Sequence, residues 1–342
     1  MKDKIPSTAT LDTKIDTIYN FIPLGVTYDK KGKKVTIGWY LNDEQLNKKA
    51  YETTPSSSLL ITGYTGSGKS VVGKCIESHC MDYSRQIQTL TFNCFNNVVA
   101  VADTVDSLQR AMMKRFSYME QYQVNHVNKL REKEVDYYEI DGIFYAFDEF
   151  ITFELTDFNE NAKRKHHLKE IYSIGAQTCS VSADDFYEIV QKVDNKTFYA
   201  DTVLFNGKKI TSKDFKKVSH PYYPKTIMLI IDGLDNFISS DNYRSVETIK
   251  DGLGSLLRLG RAAACHTVII CQQSDILGND LKYCIQTSIL LGGFDDKLSN
   301  KILGQDVSKN CKPQIKGRGF MISDGDLSEV QFFGKKTVTI PF

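Results

Sequence analysis

Residues 62–73 read TGYTGSGKSVVG, a run of glycine and small polar residues around one lysine. Within it Gly63, Gly68, Lys69 and Ser70 satisfy the spacing G-x-x-x-x-G-K-[ST]. This pattern has a specific use. Glycines let the backbone amides of Gly63, Tyr64, Thr65, Gly66, Ser67, Gly68, Lys69, Ser70 and Val71 curl around phosphate oxygens. A helix that starts at the loop adds the positive end of its dipole. Lys69 would reach the β- and γ-phosphates, and the Ser70 hydroxyl would bind Mg²⁺. The expected ligands are therefore ATP and Mg²⁺. The flanks agree: SLLIT (58–62) has strand character, and Val72, Cys75, Ile76 and His79 recur at helical spacing.

Such a loop needs a carboxylate for the metal. TIMLIIDGLDNF (226–237) offers Asp232 at the end of an apolar, β-prone run. A continuous apolar run reads as a parallel strand buried on both faces, and α/β sheets bind ligands at the C-terminal ends of such strands. IFYAFDEFI (143–151), with Asp148 and Glu149, has the same apolar-then-acidic shape and ranks second.

These residues require a scaffold of alternating helices and strands. Leu108, Met112, Phe116 and Met119 form a helical stripe, and ETIKDGLGSLLRLG (247–260) reads as a helix closed by Gly260. TVIIC (267–271), ending in Gln272 and Gln273, and TSILL (287–291) read as strands. RGFMI (318–322) and EVQFF (329–333), joined across SDGDLS, read as a closing hairpin. The expected class is α/β with a mostly parallel sheet. With 342 residues, two domains or one large domain with an insertion are expected. No apolar run approaches the roughly 18 residues of a membrane span, and the polar start MKDKIPSTATLDTK does not read as a signal peptide. Eight cysteines without a CxxC pair suggest buried thiols in a reducing compartment, and no Cys/His grouping has zinc-ligand spacing. The expected location is the cytoplasm, or a host's cytoplasm for a viral protein. A net charge of +1 excludes a blanket polycation, so any nucleic acid must be met by local patches.

The order of several segments carries a resemblance. IPLG (22–25), a GKKVTIGW strand, LLITGYTGSGKSVV, MKRFSYM (113–119), IMLIIDGLDNF, GRAAACHTVIICQQSDI (260–276), KILGQ (301–305) and KGRGFM (316–321) follow one another along most of the chain. Together they resemble the motor domain of the FtsK/SpoIIIE family of DNA translocases, within the FtsK–HerA group of P-loop ATPases. The resemblance implies a RecA-like fold and an ATP-driven ring, a homo-hexamer acting on double-stranded DNA without sequence preference. It favours Asp232 over Asp148, because the family's R-A-A segment, here at Arg261, follows its acidic strand after one helix. It implies a γ-phosphate-sensing role for Gln272 and an arginine offered to a neighbouring subunit, with Arg261 and Arg318 as candidates. The implied catalytic set is Lys69, Asp232, Gln272, Arg261 and Arg318; Ser70 and Asp232 would hold the metal.

The chain departs from the family's pattern in three respects, one of them Gln272-Gln273-Ser274 where the family has Q-R-P. Gly233 stands where the family usually has the glutamate that polarises water, leaving Asp235 and Glu149 as candidates for that role. The family's winged-helix domain and membrane-spanning N-terminus are not recognised, so a stand-alone motor of a mobile element or virus is expected. The expected organisation is a strand-rich extension (1–50), the first motor part (51–140), a small α+β insertion (141–222) and the second motor part (223–342). The insertion contains a capped helix in SADDFYEIVQKV and a strand–NG–strand hairpin in TFYADTVLFNGKKIT, and is a possible site for a protein partner. Candidate DNA contacts are Lys129, Arg131 and Lys133, the stretch Gln273 to Lys282, and Lys163 to Lys169. Alternative readings are an FtsK-like ATPase of a protein secretion system and a nucleotide-binding assembly protein with weak hydrolysis.

Overall fold

The computed structural model describes residues 21–28, 31–41, 57–158, 177–198, 200–272 and 274–334. In chain order the strands are β1 (Phe21–Tyr28), β2 (Lys34–Tyr40), β3 (Ser58–Gly63), β4 (Ile87–Phe92), β5 (Glu134–Ile140), β6 (Ile143–Ala146), β7 (Phe150–Phe158), β8 (Gln177–Ser182), β9 (Ala200–Phe205), β10 (Lys208–Ile210), β11 (Phe215–Pro221), β12 (Thr226–Asp232), β13 (Cys265–Cys271), β14 (Thr287–Leu291), β15 (Arg318–Ser323) and β16 (Asp326–Phe332). The helices are α1 (Lys69–Asp82), α2 (Val98–Gln121), α3 (Ala183–Asp194), α4 (Leu234–Ile238), α5 (Tyr243–Leu259), α6 (Gly278–Lys282) and α7 (Asp296–Leu303). The chain forms two compact units. The first comprises 1–95, 225–240 and 254–342; the second comprises 96–224 and 241–253.

The first unit is built on a nine-stranded sheet of order β2-β1-β16-β15-β14-β3-β13-β12-β4. The block β14-β3-β13-β12-β4 is parallel throughout. Its strands β3, β13 and β14 are buried along their whole length, as is β12 up to Asp232. That is how uninterrupted apolar runs are satisfied when both faces of a sheet are covered. Leu59, Ile61, Val268, Ile270, Met228 and Ile289 join Ile76 of α1 and Trp39 of β2 in one core. Each buried aliphatic side chain contributes about 1.5–3 kcal/mol. The sheet also carries an antiparallel wing, β2-β1-β16-β15, which the reading of a mostly parallel sheet does not describe. The closing hairpin is tighter than expected: β15 and β16 extend into SDGDLS, pair Ser323 with Asp326, and turn on Asp324 and Gly325 alone.

The second unit has two antiparallel sheets, β10-β9-β7-β8 and β11-β5-β6, with α2 and α3. The capped helix and the NG hairpin fall here: Ser182 Oγ accepts from Asp185 N at 3.3 Å, and β9 pairs with β10 across Asn206–Gly207. The Phe153 and Phe186 rings lie 4.6 Å apart in its interior. The unit is larger than the 141–222 stretch because α2 is tied to it. Thr104 Oγ1 donates to Ser180 O of β8 at 2.8 Å, and Leu108 and Met112 are buried. Arg115 sits among these apolar positions, 1% exposed. Among the described residues no helix is long and apolar enough to cross a membrane.

Candidate nucleotide site

Strand β3 ends at Gly63, and the chain turns through residues 64–68 into α1. Gly63, Gly66 and Gly68 have φ of 145°, 79° and 102°, which side chains with a Cβ rarely adopt. Gly63 also faces a close neighbour: a Cβ there would stand 2.4 Å from Leu291 O. Helix α1 begins with Val71 N and Val72 N donating to Gly68 O at 3.0 and 3.1 Å. It packs close to β13, since a Cβ on Gly73 would lie 2.4 Å from Ile270 Cδ1. Lys69 folds over the loop, its Nζ donating to Gly63 O at 2.8 Å and Tyr64 O at 3.0 Å. Ser67 Oγ is buried and has no hydrogen-bond partner among the described residues, and Ser70 is exposed. A loop of positive-φ glycines with a buried, orphaned hydroxyl and a central ammonium fits a bound phosphate chain.

Facing the loop are the ends of β12 and β13. Asp232 closes β12, level with Ile270 of β13, and is half-buried. At Gly233 the chain swings into the left-handed region, φ 86° and ψ 45°, and α4 starts. That reversal returns Asp235 to the strand ends, where its Oδ2 accepts from Gln272 N at 2.8 Å. Gln272 is held from two further sides. Thr62 Oγ1 donates to its backbone oxygen at 3.4 Å, and Thr65 Oγ1 in the loop donates to its Oε1 at 3.3 Å. A hydrogen-bonded path therefore links loop, strand end and α4. Burial lowers the Lys69 pKa from the usual lysine value, and the carboxylates of Asp232 and then Asp235 oppose that shift. The structure thus brings together the loop residues, Lys69, Asp232 and Gln272. It also brings in Asp235, one of the two carboxylates the sequence offered in place of residue 233, and gives the Thr65 side chain a contact that the loop pattern alone does not specify.

The other named residues stand elsewhere. Arg318 does not present its guanidinium to a neighbouring molecule. It is 1% exposed, with Nη1 on Glu329 Oε1 at 2.9 Å and Nε on Gln331 Oε1 at 3.1 Å, an ion pair inside the closing hairpin. Arg261 is half-buried in the turn that leads into β13. That turn lies at the N-terminal end of the parallel block and the phosphate loop at the C-terminal end, about 20 Å away along a strand rising 3.3 Å per residue. Asp148 lies in the turn that leads from β6, in one antiparallel sheet, to β7, in the other. Its Oδ2 accepts from Arg115 Nε at 2.6 Å and from Tyr222 OH. Glu149 Oε2 accepts from Ala146 N at 2.9 Å within the same turn. Lys129 Nζ donates to Asn125 Oδ1 at 2.7 Å, Arg131 stacks over Tyr223, and Lys133 stacks over Tyr122. Lys282 is paired with Asp275 at 3.1 Å. Gln273 and Lys163 to Lys169 lie outside the described residues.

No protein-family model matches the sequence, and no curated protein matches it. Solved structures do match. The pCW3 conjugation coupling protein TcpA, with ATPγS, superposes with a TM-score of 0.56 at 16% identity, over 96% of this chain and 70% of that one. EssC of Geobacillus thermodenitrificans (ATPases 2 and 3) gives 0.55 at 11% identity, over 96% of this chain and 47% of its own. The cytoplasmic domain of the Thermomonospora curvata type VII secretion ATPase EccC gives 0.52 at 11%, over 97% and 30%. The likeness shows the fold, a mixed α/β architecture that the chain shares with the ATPases of these structures. The chain spans less than half the length of the EssC and EccC chains it resembles. Within this fold, the loop after β3 and the end of β12 are where the sequence reading expects nucleotide and metal.

Proposed function

We propose that the protein is an ATP-driven translocase of the FtsK type, which works as a homo-hexameric ring and moves double-stranded DNA without sequence preference during transfer or packaging. The observation that carries the nucleotide part is the Lys69 ammonium, held by Gly63 O and Tyr64 O of a loop of positive-φ glycines that also buries the unpartnered Ser67 hydroxyl. The loop amides would hold the phosphates, and Lys69 would neutralise charge on the β- and γ-phosphates. Ser70 and Asp232 would hold Mg²⁺. Among the described residues no three His, Cys, Asp or Glu side chains converge on a metal site. One hydroxyl and one carboxylate are the hard-oxygen set Mg²⁺ accepts when phosphate oxygens and waters complete its shell. The metal would supply charge neutralisation on the phosphates. Gln272, tied to Thr65 of the loop, is suited to report the γ-phosphate to the sheet. Arg261, at the far end of the parallel block, is the arginine suited to a neighbour's site rather than its own.

The DNA part rests on the ordered resemblance to the FtsK/SpoIIIE motors. Its test is the ATPase rate with and without duplex DNA. Stimulation by DNA of any sequence, with binding that falls by a log–log slope of about −0.9 per phosphate contacted as salt rises, is expected. A second reading, a protein-secretion ATPase, is favoured by the likeness to EssC and EccC. No duplex binding at about 50 mM salt with nucleotide present would select it.

A further inference from the structure

Hydrolysis at a phosphate loop requires a group that orients the attacking water, and an aspartate that holds the metal is not available for that second task. Residue 233, next after Asp232, cannot supply it. Its backbone sits at φ 86°, and a Cβ there would lie 2.8 Å from Asn236 Nδ2. The same glycine determines what comes next. By reversing the chain it places the first turn of α4 over the end of β13, and Asp235 is the carboxylate on that turn. Asp235 is half-buried and fixed through Oδ2 by Gln272 N at 2.8 Å. Gln272 in turn is fixed to Thr65 of the phosphate loop. The carboxylates of Asp232 and then Asp235 oppose the lowering of the Lys69 pKa by burial, and Lys69 is the group expected at the β- and γ-phosphates. Glu149, the other carboxylate the sequence offered, caps the turn it belongs to.

We propose that Asp235 is the carboxylate that orients and deprotonates the attacking water, a catalytic role moved from residue 233 to residue 235 by the left-handed turn at Gly233. This rests on the reading of the site as an ATPase. The step balances as follows. The water oxygen forms a bond to the γ-phosphorus, and the bond from that phosphorus to the β–γ bridging oxygen breaks. The electron pair leaves with ADP, and the water proton passes to Asp235. Products are ADP, phosphate and a proton released when Asp235 reionises.

The test compares Asp235→Asn with wild type and with Lys69→Ala, by steady-state turnover and by titration with a fluorescent ATP analogue. The asparagine keeps an oxygen for Gln272 N but takes no proton. Turnover lower by about 10²–10³-fold, with analogue affinity within about threefold of wild type, is the expected result. Asp235→Glu should recover part of the loss. Turnover near wild type in Asp235→Asn, while Lys69→Ala is inactive, would overturn the assignment and leave Asp235 as a mere anchor for Gln272. Loss of analogue binding in Asp235→Asn would also overturn it, because the residue would then be shaping the pocket. A wild-type protein with no turnover that Lys69→Ala removes would instead overturn the ATPase reading itself.

Discussion

IMLIIDGLD and IFYAFDEF are nearly the same text: an apolar, β-prone run that ends in an aspartate. Folding gives the two aspartates opposite fates. Asp232 ends a strand flanked by parallel neighbours, half-buried, with its charge reaching Lys69. Asp148 sits in a turn that links two antiparallel sheets, 2% exposed, with Arg115 and Tyr222 on the same oxygen. The first aspartate is left at a place where a ligand can arrive. The second is consumed by the protein. Burying a charge demands a partner, and once the partner is in place the charge has no field to spare for chemistry. The difference lies in the neighbours of each strand and not in the local residues.

The comparison can be broken at its premise first. Lys69→Ala removes the group on which Asp232 acts, and turnover should fall about 10³-fold or more, measured as phosphate release. Asp148→Asn should leave Arg115 buried without its counter-charge. The expected cost is about 3–5 kcal/mol of stability, read from urea unfolding, and Arg115→Met with Asp148→Leu should recover most of it. Asp232→Asn should do the reverse. Turnover should drop by about 10²-fold or more while the unfolding midpoint and nucleotide binding stay close to wild type. If Asp148→Asn stops turnover in folded protein and Asp232→Asn does not, the two assignments are exchanged. The finest test is Gly233→Ala. A Cβ in the left-handed region should cost about 1–2 kcal/mol. If Asp235 is held in place by that turn, turnover should fall with it.

Much of this was legible in the sequence, and the part that was not has a common cause. The phosphate loop is a contiguous signal, because one short segment supplies the turn, the amides and the lysine. Strands β3, β12, β13 and β14 of the parallel block announced themselves, since burial on both faces forces an unbroken apolar run; β4, at the edge of the sheet, mixes buried with half-buried positions and offers no such run. The closing hairpin was also legible, but its joining to β1 and β2 in one antiparallel wing was not, because β1 meets β16 across almost the full length of the chain. Arg115 was hidden in a helical stripe whose other members are apolar, and only the arrival of Asp148 explains it. Arg318 read as a residue to be offered outward. The hairpin register instead sets it beside Gln331 and within reach of Glu329.

What the sequence determined by itself is the chemistry a single segment can carry: a loop for phosphates, an aspartate closing an apolar run, a glycine that permits a left-handed turn. What only the tertiary structure decided is which charges remain unspent and where they meet. Asp235 and Gln272 touch across 37 residues, and Thr65 and Gln272 across 207. Contacts at such separations are set by strand order, with β13 inserted between β3 and β12. Strand order in turn is fixed by how the apolar faces of the whole sheet are covered, which no local stretch of residues encodes.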